Sequence, residues 1–301
     1  MHYLTFTVFG LATLALSCAE TPDPNPSALK PKVMIIGWAG VRADAVQIAD
    51  TPTLDAVVAS GAYTFEASTQ TDTFTLSAPG WLSLLTGVQP SKHGVYSNED
   101  FLNHSVDYPT IMTRAKRDLN LTTAAACDWA VLCALMWEAE ESLNNRWAGD
   151  ELGVTIAVVQ WLIEEDYDIN FIHINLPDQA GHAHGFGPDV TEYIEAIEQS
   201  DALSGRLVAA IEQRATRKQE RWLIAFVTDH GGNLNGHGEL DLANRRVHFV
   251  LGGDGVHAGP MPGNGAVTQM DLVPTILTFL GAKIDPVWKL DGRAVGLSAA
   301  E

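Results

Sequence analysis

The feature that most constrains this chain is an alternation of short apolar runs with stretches of helical period. Residues 32–38 (KVMIIGW), 122–126, 169–176, 222–228 and 247–252 read as strands. Between them lie helical patterns over residues 53–60, closed by Gly61, and over 79–85, with proline in the first turn. Further helices are predicted over 110–119, over 150–165 with Asp150 as N-cap, over 190–214 as one helix or two, and over 271–280, stopped by Gly281. The run KVMIIGW lacks the polar alternation of a strand with one wet face, so it is expected to be covered on both sides. The alternation therefore predicts an α/β fold, a three-layer α/β/α sandwich around a mostly parallel sheet. Residues 32–301 are expected to form one such domain.

Residues 1–18 read differently. The apolar run from Phe6 to Leu16 is too short to span a bilayer comfortably and resembles a signal-peptide core. Ala15-Leu16-Ser17-Cys18 resembles a lipobox, in which Cys18 would carry the lipid. Three prolines at 22, 24 and 26 give residues 19–31 the composition of a semi-rigid tether. The expected location is outside the cytoplasm: periplasmic or cell-envelope, as a bacterial lipoprotein touching the membrane only through its anchor. A net charge of −19 argues against a nucleic-acid-binding surface, which needs basic residues. Export also permits a disulfide between Cys127 and Cys133, although the same spacing fits two free thiols on a buried helix face.

In a sheet of this kind, functional side chains gather just past the carboxyl ends of the strands. Four predicted strands end suggestively: Gly37-Trp38-Ala39-Gly40, Asn175-Leu176-Pro177-Asp178, Thr228-Asp229-His230-Gly231 and Gly252-Gly253-Asp254. Asp178 and His182 stand four residues apart, Asp229 and His230 are adjacent, and His237 follows between two glycines. Carboxylate and imidazole together suit zinc and similar divalent ions. Ser77-Ala78-Pro79 sits where a loop enters a helix, and a helix N-terminus favours a hydroxyl that handles anions. A divalent ion beside that hydroxyl would lower its pKa and make it a nucleophile.

These stretches match a family. IIGWAGVRADA, TPTLDAVVASGA, TLSAPGWLSLLTGVQPSKHGVYSN, NLPDQAGHAHGFGP, FVTDHGGNLNGHG, DLVPTILTFLG and LDGRAVG occur in order over roughly residues 31–297. The chain resembles the nucleotide pyrophosphatase/phosphodiesterase branch of the alkaline phosphatase superfamily. That resemblance implies a small-molecule phosphate ester as substrate, Ser77 as nucleophile through a phospho-enzyme, and Asn98 as donor to a phosphoryl oxygen. It implies two divalent ions, most readily Zn2+. Asp178, His182 and His237 would hold one, with His257 as the alternative third ligand, and Asp229 and His230 would hold the other.

One position departs from the pattern. The family strand ends in Gly-x-Asp-Gly, and its aspartate binds the ion beside the nucleophile, where this chain has Ala39. Asp44 is not expected to substitute. The leading reading is a metal-dependent phosphodiesterase or phosphomonoesterase. The alternatives are a catalytically impaired relative that lost a ligand at Ala39, and a sulfatase-like hydrolase. Trp81 stands where the sulfatase motif carries arginine, against the last of these. His93, His104, His173, His184 and His248 are expected to be satisfied structural residues.

Overall fold

The computed structural model describes residues 29–69, 73–100, 105–137 and 145–298. The signal-like segment and most of the proline tether lie outside them, as does His104. Eight strands join in one sheet: β1 Lys30–Trp38, β2 Ala62–Ser68, β3 Thr123–Cys127, β4 Asn145–Ala148, β5 Ile169–Ile174, β6 Glu220–Val227, β7 Arg246–Gly253 and β8 Gly259–Pro260. Their order is β4-β3-β5-β1-β6-β7-β2-β8. Lys30 and Pro31, assigned to the tether by composition, begin β1 instead.

β1 pairs in parallel with β5 and β6, and β5 with β3. The register aligns Gly37 with His173 on one side and with Val227 on the other. Alternate residues of β1 go to opposite layers, and both layers are apolar. Val33 and Ile35 pack with helices Ser77–Thr86, Ile111–Leu119 and Leu272–Phe279. Met34, Ile36 and Trp38 pack with helices Pro52–Ser60, Glu151–Glu164 and Thr191–Glu212. Double-sided burial is the reason KVMIIGW shows no polar alternation, and the three-layer sandwich is the result. The expected cap at Asp150 forms, accepting from the Gly153 N–H, and Thr110, read as the first helical residue, is instead the N-cap of its helix and accepts from the Thr113 N–H.

Three strands escaped the sequence reading. β2 is half-buried and mixes Tyr63, Thr64, Phe65 and Glu66, so it carries no apolar run. β4 and β8 are only four and two residues long. The direction of β7 was also missed. It runs antiparallel to both β6 and β2, and Gly253 stands opposite Leu223, near the start of β6. Gly252-Gly253-Asp254 therefore lies at the opposite edge of the sheet from the other three strand ends. There Asp254 accepts from the Trp222 backbone N–H, a structural role. The two cysteines do form a disulfide, joining the end of β3 to helix Ala130–Trp137.

Candidate metal centre and nucleophile

Asp178 comes two residues after the start of helix Leu176–His184, which follows β5 directly, with Pro177 in its first turn. The four-residue spacing brings His182 onto the same face one turn later. His182 Nε2 lies 3.8 Å from one Asp178 oxygen, and His237 Nε2 lies 3.8 Å from the other. Ligand atoms of Asp178, His182 and His237 all fall within 4.8 Å of one another. His257, the alternative third ligand, is exposed after β7 at the far edge and bonds through its backbone to Gly296. The antiparallel course of β7 removes it from this group.

Asp229 and His230 follow β6, fully buried. Ser77 opens helix Ser77–Thr86, and its Oγ is 3.1 Å from His230 Nε2. That nitrogen is also 3.2 Å from Asp229 Oδ2. Asn98 Oδ1 accepts from the Ala78 N–H at 2.9 Å, which leaves the amide NH2 of Asn98 as a donor at the same helix start. Two glycines allow the elements to meet. Gly40 has φ +67°, and a Cβ there would lie 2.6 Å from Asp178 Oδ1. A Cβ on Gly80 would lie 2.8 Å from the Asp229 carbonyl, so only glycine lets this helix abut the end of β6.

All three imidazoles are oriented in the same way. Nδ1–H donates to a backbone carbonyl in each: His182 to Asn235 (3.0 Å), His237 to Thr75 (2.9 Å) and His230 to Gly231 (2.6 Å). Each Nε2 is thereby left for another task, an arrangement characteristic of metal-ligating histidine. The carboxylates are incompletely satisfied. Asp229 Oδ1 accepts from the Gly40 N–H, but Asp229 Oδ2 and Asp178 Oδ1 are buried without a hydrogen-bond partner. A donor set of imidazole and carboxylate with orphaned oxygens fits a divalent ion.

The charges agree with that fit. Burial and the neighbouring Asp229 charge push the Asp178 carboxyl up. Burial opposes ionisation of Asp229 too, but His230 and the Gly40 N–H outweigh it and hold this carboxyl down. Burial disfavours the His230 imidazolium, yet Asp229 and Asp178 push it up to about 9. Burial and His230 push His237 down to about 3. Protons are thus shared unevenly among groups that a cation would satisfy together.

Ala39 is buried, and its N–H donates to the Ile174 carbonyl as an ordinary strand end. Asp44 is engaged by Arg42 in a bidentate pair, so it is not a substitute ligand. Trp81 is fully buried over Gly37, edge-on to Phe171 and His173. Sequence reasoning missed the residues that hold the site from behind. Tyr193 donates to the Gly40 carbonyl and accepts from the Arg42 N–H, while Gln269 donates to the Thr228 carbonyl. Nothing in the sequence around either distinguishes it from core. Among the five histidines expected to be satisfied, His93 is, between Ser83 and the Val95 N–H, and His184 is exposed. His173 and His248 correct that expectation: both are fully buried, with one and two ring nitrogens respectively lacking a partner.

Among the described residues no helix is long and apolar enough to cross a membrane. The chain is similar to human ectonucleotide pyrophosphatase/phosphodiesterase family member 7, 24% identical over 253 residues, 73% of this chain and 52% of that protein. It therefore spans about half the length of that relative. Its fold is similar to murine ectonucleotide pyrophosphatase/phosphodiesterase 5, solved as an inactive variant in complex with AMP. That likeness has TM-score 0.66 at 14% identity, covering 86% of this chain and 99% of that one. A 2-O GAG sulfatase is also similar in fold, with TM-score 0.71 at 13% identity over 88% and 73% of the two chains. Residues 33–244 match the type I phosphodiesterase / nucleotide pyrophosphatase family profile, and the chain belongs to that family, within the alkaline phosphatase superfamily.

Proposed function

We propose that the protein hydrolyses phosphate esters with the aid of divalent ions, with Ser77 as the nucleophile. Asp178, His182 and His237 hold one ion and Asp229 with His230 holds the other; zinc suits both donor sets. When bound, the ions supply positive charge that lowers the pKa of an attacking hydroxyl and neutralises charge developing on a phosphoryl group. The chain's own residues do the rest. Ser77 Oγ gives up its proton to solvent and bonds to phosphorus as the bond to the leaving oxygen breaks, giving a phosphoserine and an alcohol whose oxygen takes up a proton from solvent. The Asn98 amide and the helix N-terminus face the transferring phosphoryl oxygens. Water then cleaves the phosphoserine and restores Ser77.

The observation that carries this reading is the shared tethering of three imidazoles, each by Nδ1 to a backbone carbonyl, around carboxylate oxygens without partners. The test is hydrolysis of p-nitrophenyl monoesters and diesters by protein stripped with chelator and then reloaded with zinc. Activity should vanish on stripping and return on reloading. Turnover indifferent to chelator would overturn it.

Ala39 supports a second reading, an impaired enzyme that retains the pocket but holds its second ion weakly. A sulfatase-like activity is less well supported, because Trp81 is packed into the core at the position where that chemistry uses arginine. Export as a lipoprotein anchored at Cys18 remains part of the proposal. It is decided by the mass of the mature N-terminus: an unmodified chain beginning after Cys18 would rule the anchor out.

A further inference from the structure

His173 is assigned no role by any motif, yet its surroundings are unusual. It lies in β5, opposite Gly37 of β1, and its ring is fully buried. Phe171, two residues earlier on the same strand face, belongs to the apolar layer that contains Ala39 and Trp81. The His173 ring sits edge-on to Trp81 with centroids 5.0 Å apart. Charge on Asp229 acts on His173, and His173 acts on Asp229 in return. His173 Nε2 is buried without a hydrogen-bond partner, and Asp229 Oδ2 is buried with only His230 Nε2 beside it, 3.2 Å away.

The protonation of the ring follows from one hydrogen bond. The backbone N–H of Trp129 donates to His173 Nδ1 at 3.3 Å. A backbone N–H can only donate, so Nδ1 carries the lone pair and the neutral ring carries its proton on Nε2. This is the reverse of His182, His230 and His237, whose Nδ1–H groups all donate. His173 thus turns an Nε2–H donor to the site, where the other three keep Nδ1–H on a backbone carbonyl and turn Nε2 toward the carboxylates. A buried donor without a partner and a buried carboxylate oxygen with a lone pair to spare, next to a position where the side chain is a single methyl group, are the ordinary partners of an ordered water.

We propose that His173 is the positioning residue of the Asp229–His230 half of the site: its Nε2–H donates to a buried water beside Ala39, and that water donates to Asp229 Oδ2. The water takes the place of the carboxylate that Ala39 lacks, and His173 anchors it. This rests on the reading that Asp229 and His230 hold an ion.

Two variants and one spectrum test it. His173→Phe keeps an aromatic ring against Trp81 and removes both nitrogens. His173→Gln keeps an acceptor for Trp129 and a donor of similar reach. Zinc titration against a chromophoric chelator reads stoichiometry and affinity without any substrate. The wild type should bind two zinc ions, the second weakened about 10-fold or more in His173→Phe and less than about 3-fold in His173→Gln. Nitrogen-15 spectra of the wild-type histidine rings should show His173 Nε2 still protonated with zinc bound. Two zinc ions bound equally well by His173→Phe would overturn the proposal alone, as would a His173 Nε2 that loses its proton to zinc. A single zinc in the wild type would remove the two-ion reading as well.

Discussion

The two halves of the candidate centre are built differently. Asp178, His182 and His237 come from a helix and a loop, His182 is exposed, and three ligands are present. Asp229 and His230 come just past β6, are fully buried, and lie beside the turn that follows β1, where Ala39 stands. In the first half each carboxylate oxygen has an imidazole nearby, and solvent reaches one ligand. In the second, packing around Gly37, Gly80 and Trp81 leaves little freedom to recruit a ligand from elsewhere. A ligand lost from a strand end is therefore replaced only by what that buried space already holds. The halves meet at Asp229 and His230, so perturbing one should be visible in the other.

The largest effect should come from the hydroxyl that lies 3.1 Å from His230. Ser77→Ala is expected to lose on the order of 1000-fold or more in hydrolysis, as nucleophile removal does in other enzymes. Its melting temperature should move by no more than about 4 °C, equivalent to about 1 kcal/mol for the lost bond to His230. Comparable activity in the variant would remove Ser77 from the mechanism.

Asp178→Asn separates the halves. Turnover should fall on the order of 100-fold, the upper range for weakened metal support. Burial and Asp229 oppose ionisation of this carboxyl, so the metal-free variant should melt higher than the metal-free wild type. The stabilisation that zinc confers should shrink at the same time. Calorimetry with and without zinc reads both signs. An unchanged zinc response would show that Asp178 holds no ion.

Ala39→Asp addresses the second half. A carboxylate on the end of β1 adds an oxygen ligand on a rigid element. Activity at limiting zinc should rise about 10- to 100-fold. The gain should shrink as zinc approaches saturation, since mass action fills the weaker site in either form. Without zinc, the added buried carboxylate near Asp229 should lower the melting temperature. An aspartate form that is no faster at any zinc concentration would mean that position 39 is not a vacant ligand position.

What the sequence revealed divides along a physical line. Asp178 with His182, and Asp229 with His230, were legible because each pair lies within a few residues just past a strand, where local spacing fixes geometry, and His237 stood out between two glycines seven residues further on. The sandwich was legible because double-sided burial produces unbroken apolar runs. The direction of β7 was not, since residues 246–253 are equally apolar either way and only pairing with β6 sets their course. That error carried Asp254 and His257 to the wrong edge. His173 was hidden for a related reason. Within INFIHI it reads as one more core residue, and its unpaired nitrogen exists only once Trp129 and Asp229 converge from distant parts of the chain.

The smallest effect sharpens the comparison from outside the ligands. The disulfide-closed loop after β3 touches both halves. Trp129 bonds His173, and Asp128 Oδ2 accepts from the Asn175 N–H at 2.9 Å, just ahead of the helix that carries Asp178. Burial, with added repulsion from Glu151 and Asp150, pushes the half-buried Asp128 carboxyl up to about 6. A folded-state pKa above the unfolded one means that the native protein binds this proton more tightly. The associated stability is present below about pH 4, the unfolded value, and is lost as pH rises through about 6. Asp128→Asn keeps an acceptor for Asn175 and removes the charge. The metal-free variant should therefore match the wild type near pH 4 and melt a few degrees higher at pH 7.5. Zinc affinity should be unchanged, because the hydrogen bond that places the Asp178 helix survives. A melting difference that does not open between these two pH values would show that the Asp128 charge is already relieved by solvent. A drop in zinc affinity would show that the ionised carboxylate, and not the bond alone, holds the first half in place.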